Sequence, residues 1–102
     1  MKEGKEEKEE YPETIHMDCL KFGNEIQLVV NELKQAIANW PSMNSAHEGL
    51  GLIEEELDEL KKIIFLKQKL RDLNKMRDEA IQLAAMAVRF AFEVCNEEVG
   101  RR

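Results

Sequence analysis

Residues 45–64 read SAHEGLGLIEEELDELKKII, and this stretch decides the fold. It opens with a helix start signal. Ser45 followed three positions later by Glu48 is a capping box, in which each side chain satisfies a free backbone N–H of the first turn. Behind the cap, Leu50, Ile53, Leu57, Leu60 and Ile64 recur at spacings of three and four, the apolar stripe of an amphipathic helix. Glu56 and Glu59 stand three apart, so their carboxylates share one side of that helix next to the stripe. Leu52 and Ile63 flank the same two glutamates. Acids set among apolar residues lie nearer a bundle interior than an ordinary solvated face does, and a divalent cation is one reason for such a placement.

Working outward, the same logic gives a helix on each side. Upstream, Pro12 suits a first helical turn, and a helix over 13–39 carries the stripe Ile15, Cys19, Phe22, Ile26, Val29, Val30, Leu33, Ile37 and Trp40. Gly23 lies inside it, a site for close packing. Trp40-Pro41 ends it, because a residue before proline is pushed out of the α region. A short turn then leads into the helix over 46–66. Downstream, the basic stretch KQKLRD reads as a connection, with Asp72 as the next N-cap. The helix over 73–98 is apolar nearly all round: Met76, Ala80, Leu83, Ala84, Ala87, Val88, Phe90, Ala91 and Val94. Such a helix is covered on several sides. Two partner helices do not suffice, so an assembly of several copies is expected. What remains is a narrow stripe of Glu79, Gln82, Met86, Arg89 and Glu93. It is either the exposed side of the helix or, as Met86 hints, a partly buried one.

Composition agrees. A chain of 102 residues, 43% hydrophobic and 35% charged with two prolines, fits one all-α domain: an antiparallel bundle of three main helices over 13–102. The run MKEGKEEKEE has almost nothing to bury, so residues 1–12 are expected to be a disordered charged tail, and Gly100, Arg101 and Arg102 a short tail. The net charge of −6 argues against a nucleic-acid partner or an anionic membrane surface. No apolar run reaches membrane-spanning length and the N-terminus lacks a signal-peptide core, so the cytoplasm is the default location. Cys19 and Cys95 belong to no zinc spacing. Both fall on or near apolar faces, which predicts two buried, inert thiols. In an up-down-up bundle they lie far apart, so no bridge between them is expected.

Two acid-bearing helices, Glu56-x-x-Glu59 and then Glu79-x-x-Gln82, resemble the signature of the MazG-like all-α nucleoside triphosphate pyrophosphohydrolases. That family carries E-x-x-E on one helix and E-x-x-D on the next. The surrounding text, WPSMNSAHEGLGLIEEELDEL and RDEAIQLAAMAVRF, carries the likeness over residues 40–94. A lone acid pair is weak in so charged a chain. The order of cap, acid pair, basic connection and acid on an alanine-rich helix is more specific. The resemblance implies that Glu56, Glu59, Glu79 and Gln82 converge on Mg²⁺ or Mn²⁺. The ion would hold a triphosphate while water splits it between the α and β phosphates, a house-cleaning type of hydrolysis. The residue types suit that chemistry, since Mg²⁺ takes hard oxygen ligands and substrate phosphates.

Gln82 departs from the family pattern, offering a carbonyl oxygen but neither charge nor basicity. Either three carboxylates suffice with Glu55 compensating, or the chain has left catalysis. Glu55 and Glu56 are then the candidate catalytic acids. Lys75 and Arg77 are candidate phosphate contacts, although solvated helix ends explain them nearly as well. Trp40 is a candidate stacking surface for a base, or simply the end of a core stripe. For Glu56 and Glu59 the plainer alternative is a solvated face pairing with Lys62. At the level of function, the alternative is a non-catalytic oligomerisation or partner-binding module on the same scaffold. A di-iron bundle is disfavoured, because no Glu-x-x-His occurs. A homodimer or homotetramer acting on a nucleotide is the reading that the resemblance and the third helix favour together.

Overall fold

The computed structural model describes residues 19–96, which contain helices and no strand. The charged tail, the beginning of the first helix with Pro12, Ile15 and His16, and the residues from 97 onward lie outside the described residues. Three helices follow in order: α1 (Gly23–Asn39), α2 (Ala46–Ile64) and α3 (Leu73–Glu93), with a single 3₁₀ turn (Gln68–Leu70) between the last two.

Local chemistry places each boundary. Before α1 the chain is helical at Cys19 and Leu20 and then turns at Lys21 and Phe22, so one unbroken helix to Asn39 is corrected to a break followed by α1. Gly23 stands at the first position of α1, and a Cβ there would meet nothing within 4 Å. It marks the break and makes no close contact. Trp40 is extended (φ −131°, ψ 145°), as the following proline requires, and its N–H donates to the Ala36 carbonyl at 2.9 Å. Ser45 Oγ accepts from the Glu48 N–H at 3.1 Å. Glu48 Oε1 reaches back to the Asn44 N–H, so the capping box closes one residue earlier than its usual form. Asp72 Oδ1 caps α3, accepting from the N–H groups of Asn74 (3.0 Å) and Lys75 (3.2 Å). In the connection, Arg71 Nε turns back and donates to the Ile64 carbonyl at 3.1 Å, satisfying an orphan acceptor at the end of α2.

Helix α3 is the central element, packed against both α1 and α2. A Cβ on Gly49 of α2 would lie 2.5 Å from Phe90 Cδ2 and 3.1 Å from Met43 Sδ, so only glycine lets α2 and α3 approach there. Gly49 early in α2 faces Phe90 late in α3, and Glu56 further along α2 lies near Glu79 early in α3, so these helices are antiparallel. Helix α1 runs the same way as α3: Leu28 and Glu32 share a cavity wall with Asp78 and Gln82, while Pro41 beyond its end reaches Arg89. The core is small. Ala36, Met43 and Met86 form its centre, with Leu52, Ile53, Phe90 and Val94 packed around them.

The helices are rotated from the expected orientation. The inward positions of α1 are Val29, Glu32, Leu33 and Ala36, whereas Phe22, Ile26, Val30 and Ile37 face outward, Ile37 61% exposed. In α2 the inward set is Gly49, Leu52, Ile53, Glu56, Leu60 and Ile63, with Leu50, Leu57 and Ile64 outside. In α3 the stripe Glu79, Gln82, Met86, Arg89 and Glu93 is the inward face, and Ala80, Ala87, Val88, Ala91 and Phe92 point out. Each helix turns an acid inward and leaves a large part of its apolar surface uncovered within one copy. Cys19 and Cys95 are free and exposed, which corrects the expectation of buried thiols. No described helix is long and apolar enough to cross a membrane.

Candidate functional site

Two levels of the inward face of α3 carry the polar chemistry. At its C-terminal end Arg89 and Glu93 are 3% and 8% exposed and form a bidentate pair, Nε to Oε2 at 3.0 Å and Nη2 to Oε1 at 2.9 Å. Arg89 Nη2 also donates to the Pro41 carbonyl at 2.8 Å, and Glu93 Oε1 accepts from the Met43 N–H at 2.9 Å. The pair is thus satisfied as buried charges must be. It ties the connection between α1 and α2 down onto α3.

About four turns earlier on the same face stands Glu79. Its Oε1 is buried and makes no hydrogen bond. Beside it, from α2, the Glu56 carboxyl is pushed above its ordinary range, first by burial and then by the charges of Glu79, Glu32, Glu55 and Glu59. The three inward acids come from three helices: Glu32, Glu56 and Glu79. Gln82, one turn beyond Glu79, lines a cavity with Glu32, Leu28, Asn31, Asp78 and Ile81.

Between the two levels lies a cavity of about 340 Å³. Trp40 and Pro41 form one wall, Leu52, Glu55 and Glu56 another, and Met86 with Arg89 the floor. Trp40 is 66% exposed, so it is a surface at the mouth of this cavity rather than the end of a core stripe. The structure therefore brings Trp40, Glu55 and Glu56 around one space, with Glu79 next to Glu56. Glu59 lies further round α2, largely exposed, and its Oε2 pairs with Lys62 Nζ at 3.3 Å, the surface pairing that was the plainer alternative for it. Lys75 and Arg77 do not line the Trp40 cavity. Both are exposed near the N-terminus of α3, where Arg77 Nη1 donates to Asn74 Oδ1 at 3.0 Å. The cation at the cavity is Arg89.

Sequence reasoning missed Glu32 as an interior polar group and left the facing of Arg89 and Glu93 open. Glu32 had a readable signal: it sits among Val29, Leu33 and Ala36 at the helical spacing that places Glu56 beside its stripe. Arg89 and Glu93, four apart on one face, could have been read as a pair, but nothing local marks them as buried.

Among the described residues, no three His, Cys, Asp or Glu side chains stand close enough to hold one metal ion. The donor chemistry nevertheless fits a hard cation. An unpartnered buried carboxylate oxygen on Glu79 and mutual repulsion around Glu56 are both relieved by positive charge. For one ion to be held by three of them, the acids would have to stand closer together than they do. No protein-family model, curated protein or solved structure matches the chain significantly.

Proposed function

We propose that the protein is a Mg²⁺- or Mn²⁺-dependent nucleoside triphosphate pyrophosphohydrolase of the MazG-like type. The observation that supports this most is the buried, unpartnered Glu79 oxygen beside a Glu56 carboxyl that burial and like charges have made more basic. Glu56, Glu79, Glu59 and Gln82 would hold the ion, with Glu59 released from Lys62. Gln82 brings no charge, and Glu32, which shares its cavity, restores one to the inward set. When bound, the ion supplies charge neutralisation on the phosphates and a more acidic water. Glu55, which lines the same cavity, or Glu56 would accept the proton of the attacking water. Water adds at the α phosphorus, the α–β bridging bond breaks, and a nucleoside monophosphate and pyrophosphate leave. Trp40 stacks on the base at the cavity mouth.

We also propose a homodimer or homotetramer in the cytoplasm. The apolar outer faces of all three helices favour assembly, since contiguous exposed patches of that kind are uncommon on soluble monomers. The same faces favour a second reading, a helical partner-binding module without catalysis. A pyrophosphate-release screen over a nucleotide panel with Mg²⁺ or Mn²⁺ separates the two. Release that disappears in Glu79→Gln supports the enzyme. Absence of release with every nucleotide, from a protein that still assembles, supports the module.

A further inference from the structure

We infer that Arg89 and Glu93 form a latch that sets where Trp40 stands at the cavity mouth. The connection between α1 and α2 has no helical hydrogen bonds of its own from Pro41 to Asn44. Two of its backbone groups are instead held by the buried pair: the Pro41 carbonyl by Arg89 Nη2 at 2.8 Å and the Met43 N–H by Glu93 Oε1 at 2.9 Å. Met43 itself is 1% exposed, so the second anchor is pinned by packing as well. Trp40 immediately precedes the first anchor; its own N–H donates to the Ala36 carbonyl at the end of α1, while its ring is largely in solvent. One guanidinium and one carboxylate thus connect the floor of the cavity, which Arg89 itself lines, to the aromatic wall above it. Arg89 suits this because its planar fork serves Glu93 and Pro41 at once, which a lysine ammonium cannot do with the same geometry. Both are positioning residues. The stacking role of Trp40 rests on the proposed nucleotide site, but the latch does not.

The chain has a single tryptophan, so its fluorescence reports on this wall alone. In the wild-type protein, the Met43 amide should exchange with solvent as slowly as amides in the middle of α3. The Trp40 anisotropy decay should follow overall tumbling. Arg89→Met combined with Glu93→Leu removes both anchors without leaving a buried charge unpaired, so the helices stay folded. In that variant Met43 exchange should rise about tenfold or more, the loss expected when a hydrogen bond to a charged group goes. A fast component should enter the Trp40 decay while α3 amides keep their protection. Arg89→Lys, which keeps the charge but not the fork, should fall between. Rapid Met43 exchange in the wild type overturns the latch without any variant, and so does unchanged Trp40 motion in a folded double variant. A nucleotide that fails to perturb wild-type Trp40 fluorescence contradicts the stacking role and leaves these results standing.

Discussion

Glu79 and Glu93 occupy the same face of the same helix, and the molecule treats them in opposite ways. Glu93 accepts both arms of Arg89 and the Met43 N–H, so its burial is compensated. Glu79 has an Oε1 with no partner, and its nearest charged neighbours include another acid, Glu56. A buried carboxylate that only supports the fold is expected to look like Glu93. One left unsatisfied among like charges costs stability, and a helix with room for an arginine at one level could carry one at the other. On the proposed function, the contrast is that between a structural acid and an acid kept for a ligand.

The largest expected effect comes from breaking the satisfied member. Glu93→Ala leaves Arg89 charged and buried without its carboxylate, a loss of ~3–5 kcal/mol. Urea unfolding should show the midpoint falling accordingly. A loss below about 1 kcal/mol would mean that water reaches Arg89 and that the two levels differ less than described.

Next in size is the packing between the levels. Gly49→Ala drives a Cβ to 2.5 Å from Phe90 Cδ2, and overpacking of this kind costs ~1–3 kcal/mol. The better helix propensity of alanine offsets up to ~1 kcal/mol of that. A net destabilisation in thermal unfolding is the expected result. A stabilised Gly49→Ala would show that α2 and α3 stand further apart than this contact requires.

The unsatisfied level predicts a pH effect of definite sign. Because the folded protein holds the Glu56 proton more tightly than the unfolded chain, folding is opposed as pH rises from its ordinary value of 4.5 through the raised one. Glu56→Gln removes that penalty. The variant should therefore be the more stable protein at neutral pH in the absence of divalent cations, and the two unfolding curves should converge in acid. Wild type more stable than Glu56→Gln at pH 7 without metal would mean that Glu56 is paired like Glu93.

The smallest effect on a single copy is expected on the outside of α3. Ala87→Glu lies on its exposed face and should change the stability of the protomer by no more than ~0.5 kcal/mol. It should nevertheless shift the light-scattering mass to that of a monomer, because it puts a charge into an apolar contact. A wild-type monomer at micromolar concentration would remove the proposed assembly.

The elements themselves were legible in the residues. The cap at Ser45, the stop at Trp40-Pro41 and the cap at Asp72 are local hydrogen-bond and steric signals, and each lies where its chemistry put it. The facing of the helices was not legible. Reading each apolar stripe as the core side assumes that one chain buries its own apolar surface, and here Ile37, Leu50, Leu57 and Phe92 face outward in one copy. That assumption hid Glu32 and left open which way the stripe from Glu79 to Glu93 turned. It also placed Cys19 and Cys95 inside, whereas Cys19 stands before the break that precedes α1 and Cys95 in the turn that follows α3. The nearness of Glu56 to Glu79 was suggested by the family pattern, whereas the latch depends on contacts nearly fifty residues apart, which no spacing rule reports.

The central claim is that the unsatisfied level receives a cation, and calorimetric titration of Mn²⁺ into the purified protein tests it most directly. Saturable binding by the wild type is expected, sharply weakened in both Glu56→Gln and Glu79→Gln and unchanged in Lys75→Ala. Equal heats for the wild type and the two glutamine variants would contradict it.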